Sequence, residues 1–281
     1  MSNLTKTAIV STLMVALIFS TASGLWAEKS LEQFQNLEGK IDIAGGTAHI
    51  PVMKEAAEQI MKANPKIRIT VAGGGSGVGV QKVGAGLVDI GNTGRALKPG
   101  EVKKYGLKTF PFAIDGVAVA VSPKNPVGAL TSQQVRDIFA GKIKNWQEVG
   151  GKNAPIHLFT RDEASGTRET FWKKLLNKGP IDAKANIVAS NGAMKLALTQ
   201  DPQAIGYLGI GFVDQKVKGV KLDGVEPTQK NAQSGSYPVT RKLYMNTKGE
   251  PKPLVRAFIV YIMGPGGAKI VQKHGFIPIQ K

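Results

Sequence analysis

The chain repeats one short pattern, in which an apolar strand runs into a turn of small residues and a helix follows. The first copy has an alternating strand at residues 40–44, a Gly-Thr-Ala turn at 46–48 and apolar side chains at helical spacing over residues 52–60. A second strand at residues 67–71 leads into the glycine-rich turn at 73–77 in the same way. Strands that alternate with helices pack most simply as parallel neighbours, so the sequence predicts an α/β fold.

Two long extended segments divide this pattern into two units. Residues 111–122 are too long for one short strand, and Gly116 is a point at which the segment can bend. Residues 237–245 form a second extended segment. We therefore predict two α/β sheets in two lobes, joined by two hinge crossings with a cleft between them. The predicted lobes are residues 28–115 with 241–281, and residues 116–240.

The N-terminal segment has the features of a secretory signal. Lys6 precedes an apolar run at residues 8–19, and small residues follow. We predict a signal peptide at residues 1–27 with cleavage after Ala27; cleavage after Gly24 and a retained membrane anchor are the alternatives. The chain has no cysteine, which excludes disulfides, thiolate metal sites and a lipid-anchored cysteine. We therefore expect a free protein of the periplasm.

The chain is strongly basic, with 37 lysines and arginines against 20 acidic residues and a formal charge of +17. Such a charge is typical of proteins that bind polyanions, so a secreted polyanion-binding protein is one alternative. The lysines, however, are scattered and are not interleaved with aromatic residues. We expect no nucleic-acid partner, and a basic surface that raises the local concentration of small anions.

The segment Arg-Asp-Glu-Ala-Ser-Gly-Thr-Arg at residues 161–168 predicts an anion site. It follows an apolar run at residues 156–160, interpreted as a buried strand, and precedes apolar residues at helical spacing over 171–176. The Ser-Gly-Thr turn therefore opens a helix, whose unpaired N–H groups and positive dipole end favour an anion. Arg161 adds a planar set of donors suited to an oxyanion, whereas Arg168 is interpreted as a surface arginine.

Four turns share this chemistry. They lie at predicted strand ends and open helices, at residues 46–48, 75–77, 165–167 and 190–192. The carboxyl ends of strands line the ligand crevice in open α/β sheets, and here each lobe supplies two turns. Backbone N–H groups and hydroxyls then provide the many donors that a dehydrated tetrahedral anion needs. We therefore predict a two-lobed clamp for one oxyanion, with Arg161 as its main charge.

The sequence offers no constellation that points to catalysis. No serine has the glycine spacing of a nucleophile elbow, and no Walker motif follows the glycine-rich turn. His49, His157 and His274 fall in different elements without metal-ligand spacing, so we expect each to be structural or exposed. The expectation is a binding protein without metal or cofactor, and not an enzyme.

Several short motifs together carry a family resemblance. They are residues 73–77, 89–91, 113–116, 141–146 with 149–151, Arg161 with 165–167, 204–207 and 237–238. With them, the chain resembles the phosphate-binding receptors (PstS type) of phosphate ABC importers, which have the type II periplasmic binding protein fold. The resemblance covers essentially the whole chain after the signal segment. It implies a receptor that captures inorganic phosphate between two lobes and delivers it to an ABC permease of the inner membrane, acting as a monomer.

The resemblance also implies which residues hold the phosphate. The implied ligand residues are Thr47, Ala48, Ser76, Arg161, Ser165, Gly166, Thr167 and Asn191, with Ala48 contributing only its backbone. The residues expected beside the site or in supporting roles are Gly77, Gly94, Arg95, Asp115, Glu163 and Gly192. Among these, Glu163 is expected to orient Arg161.

One position departs from the family's pattern. A strand predicted at residues 87–90 leads to Gly94, where long members of the family carry an aspartate that accepts the proton of hydrogen phosphate. Sulfate has no such proton to offer, so this carboxylate rejects it. Without it, Asp115, Glu163 or a backbone carbonyl must accept the proton, or Arg95 is instead an added anion donor. Receptors for sulfate, molybdate or arsenate therefore stay open as alternatives.

Overall fold

A computed structural model describes residues 30–279 and contains a mixed sheet of ten strands that passes through two lobes. The predicted signal peptide lies outside the described residues. The strands are β1 Gly39–Gly45, β2 Ile67–Gly74, β3 Ile90–Thr93, β4 Leu107–Val121, β5 Ala129–Leu130, β6 His157–Arg161, β7 Asn186–Val188, β8 Ala204–Gly209, β9 Lys218–Gly219, β10 Lys221–Leu222, β11 Thr240–Lys248 and β12 Ile277–Pro278. The helices are α1 Ile50–Ala63, α2 Gly75–Gly84, α3 Pro99–Tyr105, α4 Ser132–Phe139, α5 Gly166–Lys174, α6 Asn191–Gln200, α7 Gln229–Ser234, α8 Pro253–Met263 and α9 Pro265–Lys273. Short 3-10 helices lie at Glu32–Phe34, Trp146–Val149 and Ile210–Phe212.

The strand order explains how one sheet serves both lobes. It is β2-β1-β3-β11-β4-β8-β6-β7, with β9 and β12 paired to β4, and with β5 and β10 forming a separate pair. In the first lobe β1 lies between β2 and β3 and is parallel to both, and in the second lobe β6 is parallel to β7 and β8. The two central strands, β4 and β11, are antiparallel, with Arg241 opposite Asp115. The predicted α/β class with two parallel units is therefore confirmed.

The two predicted crossings are the long strands β4 and β11, which are hydrogen-bonded to each other. The sequence allowed a bend at Gly116, but β4 continues through this residue as one strand. The glycine is needed for packing, because a Cβ there would overlap the side chain of Ile210. In the second crossing the strand begins only at Thr240, three residues after the predicted start.

Each lobe has its own main hydrophobic core, and these two cores divide along the crossings. On β4 the first core extends to Ala113 and the second begins at Val117. Near β11 the second core includes Val239 and the first includes Leu243. The predicted lobe boundaries, between residues 115 and 116 and between residues 240 and 241, fall inside these intervals and remain a prediction.

One predicted helix start is confirmed, whereas the start of one strand differs from its prediction. Thr131 accepts the N–H of Gln134 in the capping box that the sequence indicates. The strand predicted at residues 87–90 begins only at Ile90. Gly86 adopts a left-handed turn (φ 74°) after α2, which leaves Leu87 70% exposed and outside the sheet. Within the predicted strand at residues 87–90, only Ile90 therefore belongs to the sheet.

None of the helices between residues 30 and 279 combines the length and the apolar composition that a membrane span requires. The consecutive helices α8 and α9 reach that length and composition only as a pair, with a 60° bend between them.

Candidate anion-binding site

A small cavity lies between the lobes, where the turns after β1, β2 and β3 face the end of β6 and the start of α5. Its volume is about 10 Å³. Its lining consists of Gly46, Thr47, Ala48, His49, Gly75, Ser76, Gly94, Arg161, Ser165, Gly166, Thr167 and Arg241. All of the predicted ligand residues except Asn191 are in this set, so the fold brings together segments that are far apart in the sequence.

Two helices begin at the cavity. Ser165 caps α5 by accepting the backbone N–H of Arg168 at 3.2 Å. The helix α2 begins at Gly75, and both this residue and Gly74 have positive φ (87° and 119°), a conformation that glycine adopts without strain. The first N–H groups and the positive dipole ends of both helices therefore favour an anion in the cavity.

The two lobes are in contact around the cavity. On one side, Thr47 of the first lobe accepts hydrogen bonds from the backbone N–H and the Nδ2 of Asn191 at 3.2 and 3.0 Å. On another side, the N–H of Gly77 donates to the carbonyl of Ala164 at 2.9 Å. Asn191 and Gly77 thus join the lobes beside the cavity and do not line it.

The four hydroxyl groups that line the cavity all accept hydrogen bonds from protein donors. They belong to Thr47, Ser76, Ser165 and Thr167. The Oγ of Ser76 accepts the N–H of Gly94 at 2.9 Å, and the Oγ1 of Thr167 accepts Nη1 of Arg241 at 2.9 Å. In the part of the chain that the structure describes, none of the four donates to a protein acceptor. Each hydroxyl therefore keeps its own proton for a ligand.

Arg161 brings a buried positive charge to the cavity. Its side chain is only 1% exposed, and its Nε and Nη2 donate to the carbonyls of Val188 and Ala189 at 2.9 and 3.0 Å. The third nitrogen, Nη1, has no hydrogen-bond partner among residues 30–279. Burial lowers the pKa of Arg161, which reflects the cost of desolvating the charge. Two backbone carbonyls therefore fix the guanidinium, and one nitrogen is left to bind a ligand.

Arg241, a second buried arginine, lines the cavity and is absent from the predicted site. Its Nε and Nη2 donate to Oδ2 of Asp115 at 3.0 and 2.7 Å. Burial raises the pKa of Asp115, and the charge of Arg241 opposes that rise. Asp115 thus lies behind the arginine and does not reach the cavity. In the sequence, Arg241 is a basic residue in an extended apolar segment, and its partner Asp115 lies 126 positions away. No local pattern therefore marks Arg241 as a residue of the site.

Gly94 leaves space for this second arginine. A Cβ at Gly94 would lie 2.7 Å from Nη1 of Arg241, so a larger residue there would displace the guanidinium. Among the described residues that line the cavity there is no aspartate or glutamate. The polar side chains of the cavity are two arginines, four hydroxyls and one histidine.

His49 is fully buried at the inner side of the first turn. Its ring centroid lies 5.5 Å from that of Phe112, and neither ring nitrogen has a hydrogen-bond partner within residues 30–279. Burial lowers the pKa of His49 to about 3, so its imidazole is neutral at neutral pH. The other two histidines form pairs outside the cavity, His157 with Asp201 and His274 with Glu55. No group of three or more metal-ligating side chains is found in the described residues.

Three residues expected beside the site lie elsewhere. Glu163 is exposed and accepts no hydrogen bond from the arginine of its own turn, which backbone carbonyls orient instead. Gly192 is exposed in the first turn of α6. Arg95 lines a wider groove outside the cavity, where it pairs with Glu101 and Glu169. The orienting role expected for Glu163 and the donor role considered for Arg95 are therefore corrected.

The chain matches known protein sequences over most of its length. Residues 32–265 match the family model described as a PBP superfamily domain. The phosphate-binding protein PstS of Bacillus subtilis is 37% identical over 248 residues, which cover 87% of this chain and 82% of that protein. The PstS of Pseudomonas aeruginosa is 29% identical over an alignment of 305 residues, which covers 95% of this chain and 94% of that protein.

Solved structures share the fold. One is a Clostridium perfringens protein described as a phosphate ABC transporter substrate-binding protein and solved with bound phosphate. It aligns with a TM-score of 0.81 at 35% identity, and the alignment covers 86% of this chain and 100% of that protein's chain. An ABC-type phosphate transport receptor from Vibrio cholerae aligns with a TM-score of 0.69 at 31% identity and covers 84% of this chain and 99% of its own. The chain therefore belongs to the PBP superfamily and, within it, to the family of PstS phosphate-binding proteins.

Proposed function

We propose that this protein binds inorganic phosphate between its two lobes and delivers it to an ABC permease for import. The PstS relatives and the two phosphate-transport proteins of known structure support this reading. The cavity supports it independently, because its chemistry is that of an oxyanion site.

The observation that carries the proposal is a set of donors that lack protein acceptors at one cavity. These are Nη1 of Arg161 and the hydroxyl protons of the four lining serines and threonines, joined by the N–H groups at the starts of α2 and α5. A buried cation and buried donors without partners are costly. A tetrahedral oxyanion satisfies them at once, with charge-assisted hydrogen bonds.

The size of the cavity limits the ligand to a compact ion. Its volume of about 10 Å³ is far below the roughly 300 Å³ at which sites for organic ligands begin. A nucleotide or a strand of nucleic acid would therefore not fit in this cavity. The oxygens of one phosphate ion are enough for the donors that the cavity presents.

Selectivity against sulfate must come from groups other than a carboxylate. The proton of hydrogen phosphate needs an acceptor, and the lining offers only hydroxyl oxygens, backbone carbonyls and the imidazole of His49. These acceptors repel sulfate less than a negative charge would. We therefore propose that phosphate is the preferred ligand and that sulfate competes measurably.

Release of the ion requires the lobes to part about β4 and β11. The contacts between Thr47 and Asn191 and between Gly77 and Ala164 close the cavity, and both are broken when the lobes separate. We propose that this cycle takes place in the periplasm, after removal of the signal peptide, in a monomer without a lipid anchor.

Calorimetric titration of ligand-stripped protein with phosphate, arsenate, sulfate and molybdate tests the proposal. We expect one phosphate per chain, with weaker but detectable binding of sulfate. If none of the four anions binds, the proposed function is rejected.

Two capping serines provide a matched pair of variants for this titration. Ser165 and Ser190 both cap helices by accepting one N–H, but only Ser165 lines the cavity. Each alanine substitution should cost a similar stability of about 1 kcal/mol. Ser165→Ala should weaken phosphate binding about tenfold, by loss of one charge-assisted hydrogen bond. Ser190→Ala should leave the affinity unchanged.

The alternative of a polyanion-binding protein rests on the net charge of +17. It predicts an affinity for DNA that falls steeply with added salt and is indifferent to phosphate at the cavity. Titration with DNA at two salt concentrations separates the two functions, because the cavity site should bind phosphate with little dependence on salt.

A further inference from the structure

A four-residue ion network spans the gap between the lobes outside the cavity. Arg95, on the loop after β3 of the first lobe, donates from Nη1 and Nη2 to the carboxylate of Glu101 at 2.8 and 2.7 Å. Its Nε lies 2.8 Å from Oε2 of Glu169, on α5 of the second lobe. The side chains of Arg95 and Glu169 are only 10% and 17% exposed. An arginine thus connects the two lobes with all of its guanidinium nitrogens engaged.

Both ends of this network are attached to the walls of the cavity. Arg95 follows Gly94, whose N–H donates to Ser76. Glu169 lies one turn into α5, and its N–H donates to the carbonyl of Ser165. The interlobe pair can therefore form only when these two walls approach each other.

Each partner in the interlobe pair has a second partner within its own lobe. Arg95 keeps Glu101 when the lobes part, and Glu169 keeps Lys173, which lies 2.6 Å away on the same helix. Separation therefore leaves neither charge buried and alone, which is the situation that makes a broken ion pair very costly. Burial alone would lower the pKa of Arg95, but its hydrogen bonds to Glu101 and the charges of Glu101 and Glu169 raise it. An arginine side chain is charged in either arrangement of the lobes. The interlobe pair can therefore form and break without leaving an unpaired buried charge.

We propose that Arg95 and Glu169 form a latch that holds the lobes closed and slows the release of bound phosphate without touching the ion. This inference rests on the proposed function. The latch contributes to affinity through the equilibrium between open and closed lobes, since its contact exists in only one of the two states. Arg95 and Glu169 are accordingly positioning residues.

Stopped-flow measurement of phosphate release tests the latch. Glu169→Gln removes the interlobe charge pair, and we expect phosphate release to accelerate about three- to tenfold. This factor lies between those expected for the loss of an exposed ion pair and of a buried one. Lys173→Gln is the matched control, because it removes only the pair within the second lobe. A double-mutant cycle with Arg95→Gln then isolates the interlobe term from the loss of the Glu101 contact.

A second readout separates a latch from a general effect on folding. In ligand-free protein with open lobes the pair is broken, so the unfolding midpoint of Glu169→Gln should equal that of the Lys173→Gln control. Faster release with an unchanged midpoint supports the latch. Release at the unaltered rate from Glu169→Gln, in protein that binds phosphate, would overturn it. Absence of phosphate binding by the unaltered protein would instead overturn the proposed function, and this inference with it.

Discussion

Replacement of Arg161 by glutamine should weaken phosphate binding by about 30- to 4,000-fold. Arg161 is 1% exposed, and its Nη1 has no partner in residues 30–279. A unit charge about 4 Å from another contributes roughly 4 kcal/mol at an effective dielectric constant near 20. Since the desolvated arginine itself is costly, the net loss should fall in the range of about 2–5 kcal/mol seen when one partner of a buried charge pair is removed. A tenfold change in affinity corresponds to about 1.4 kcal/mol, which gives the stated range.

Calorimetric titration of the variant with phosphate is the assay, with circular dichroism to confirm that the variant folds. Arg168→Gln is the matched control, because it removes the same charge from the same segment outside the cavity lining. It should change the affinity less than threefold, as expected for a screened charge near the surface. If folded Arg161→Gln binds phosphate as tightly as the unaltered protein, the cavity is not the phosphate site.

Three further changes test the geometry of the site. Gly166→Ala should weaken phosphate binding at least tenfold, because its Cβ would overlap the hydroxyl of Ser76 across the cleft. The control Gly192→Ala meets no close contact, so it should bind phosphate normally in the same titration. Equal affinities would contradict the closed geometry. His49→Leu should remove an acid-dependent loss of folding stability. Burial lowers the pKa of His49 from 6.5 to about 3, so the folded protein keeps this histidine neutral. The free energy of unfolding of the unaltered protein is therefore at its full value above pH 6.5 and falls by about 2 kcal/mol by pH 5. Urea unfolding of the unaltered protein and the variant at pH 8 and pH 5 checks this, and identical pH dependence would count against a neutral buried imidazole. Arg241→Met should destabilise the protein by about 3–5 kcal/mol, since it leaves a buried carboxylate without its cation; a loss under 1 kcal/mol in urea unfolding would refute that pairing.

The sequence identified the turns of the site because they carry local signals. The strand at Arg161, the Ser-Gly-Thr turn and the helix that it opens are all readable within about fifteen residues. The bounds differ slightly: the strand is only partly buried and includes Arg161, and the helix ends at Lys174, before the predicted face residues Leu175 and Leu176. The rule that strand ends line the ligand crevice then joined turns that are more than one hundred residues apart, and the family resemblance implied which of their residues are ligands. Seven of the residues that it implied as ligands line one cavity.

The parts that the sequence did not reveal depend on tertiary contacts. Arg241 enters the site through its pairing with Asp115 across β4 and β11, a register that no local pattern encodes. Glu163 is closer in sequence to Arg161 than the carbonyl of Val188, yet the carbonyl orients the guanidinium because β7 lies beside β6. Proximity along the chain was therefore a poor guide to which groups support the arginine.

A crystal structure of the protein with arsenate, located by its anomalous signal, tests the central claim most directly. We predict one arsenic position per chain between the lobes, with anion oxygens within hydrogen-bond distance of Nη1 of Arg161 and of the hydroxyls of the four lining residues, Thr47, Ser76, Ser165 and Thr167. An anion found only among surface lysines, with the cavity between the lobes free of it, would contradict the account.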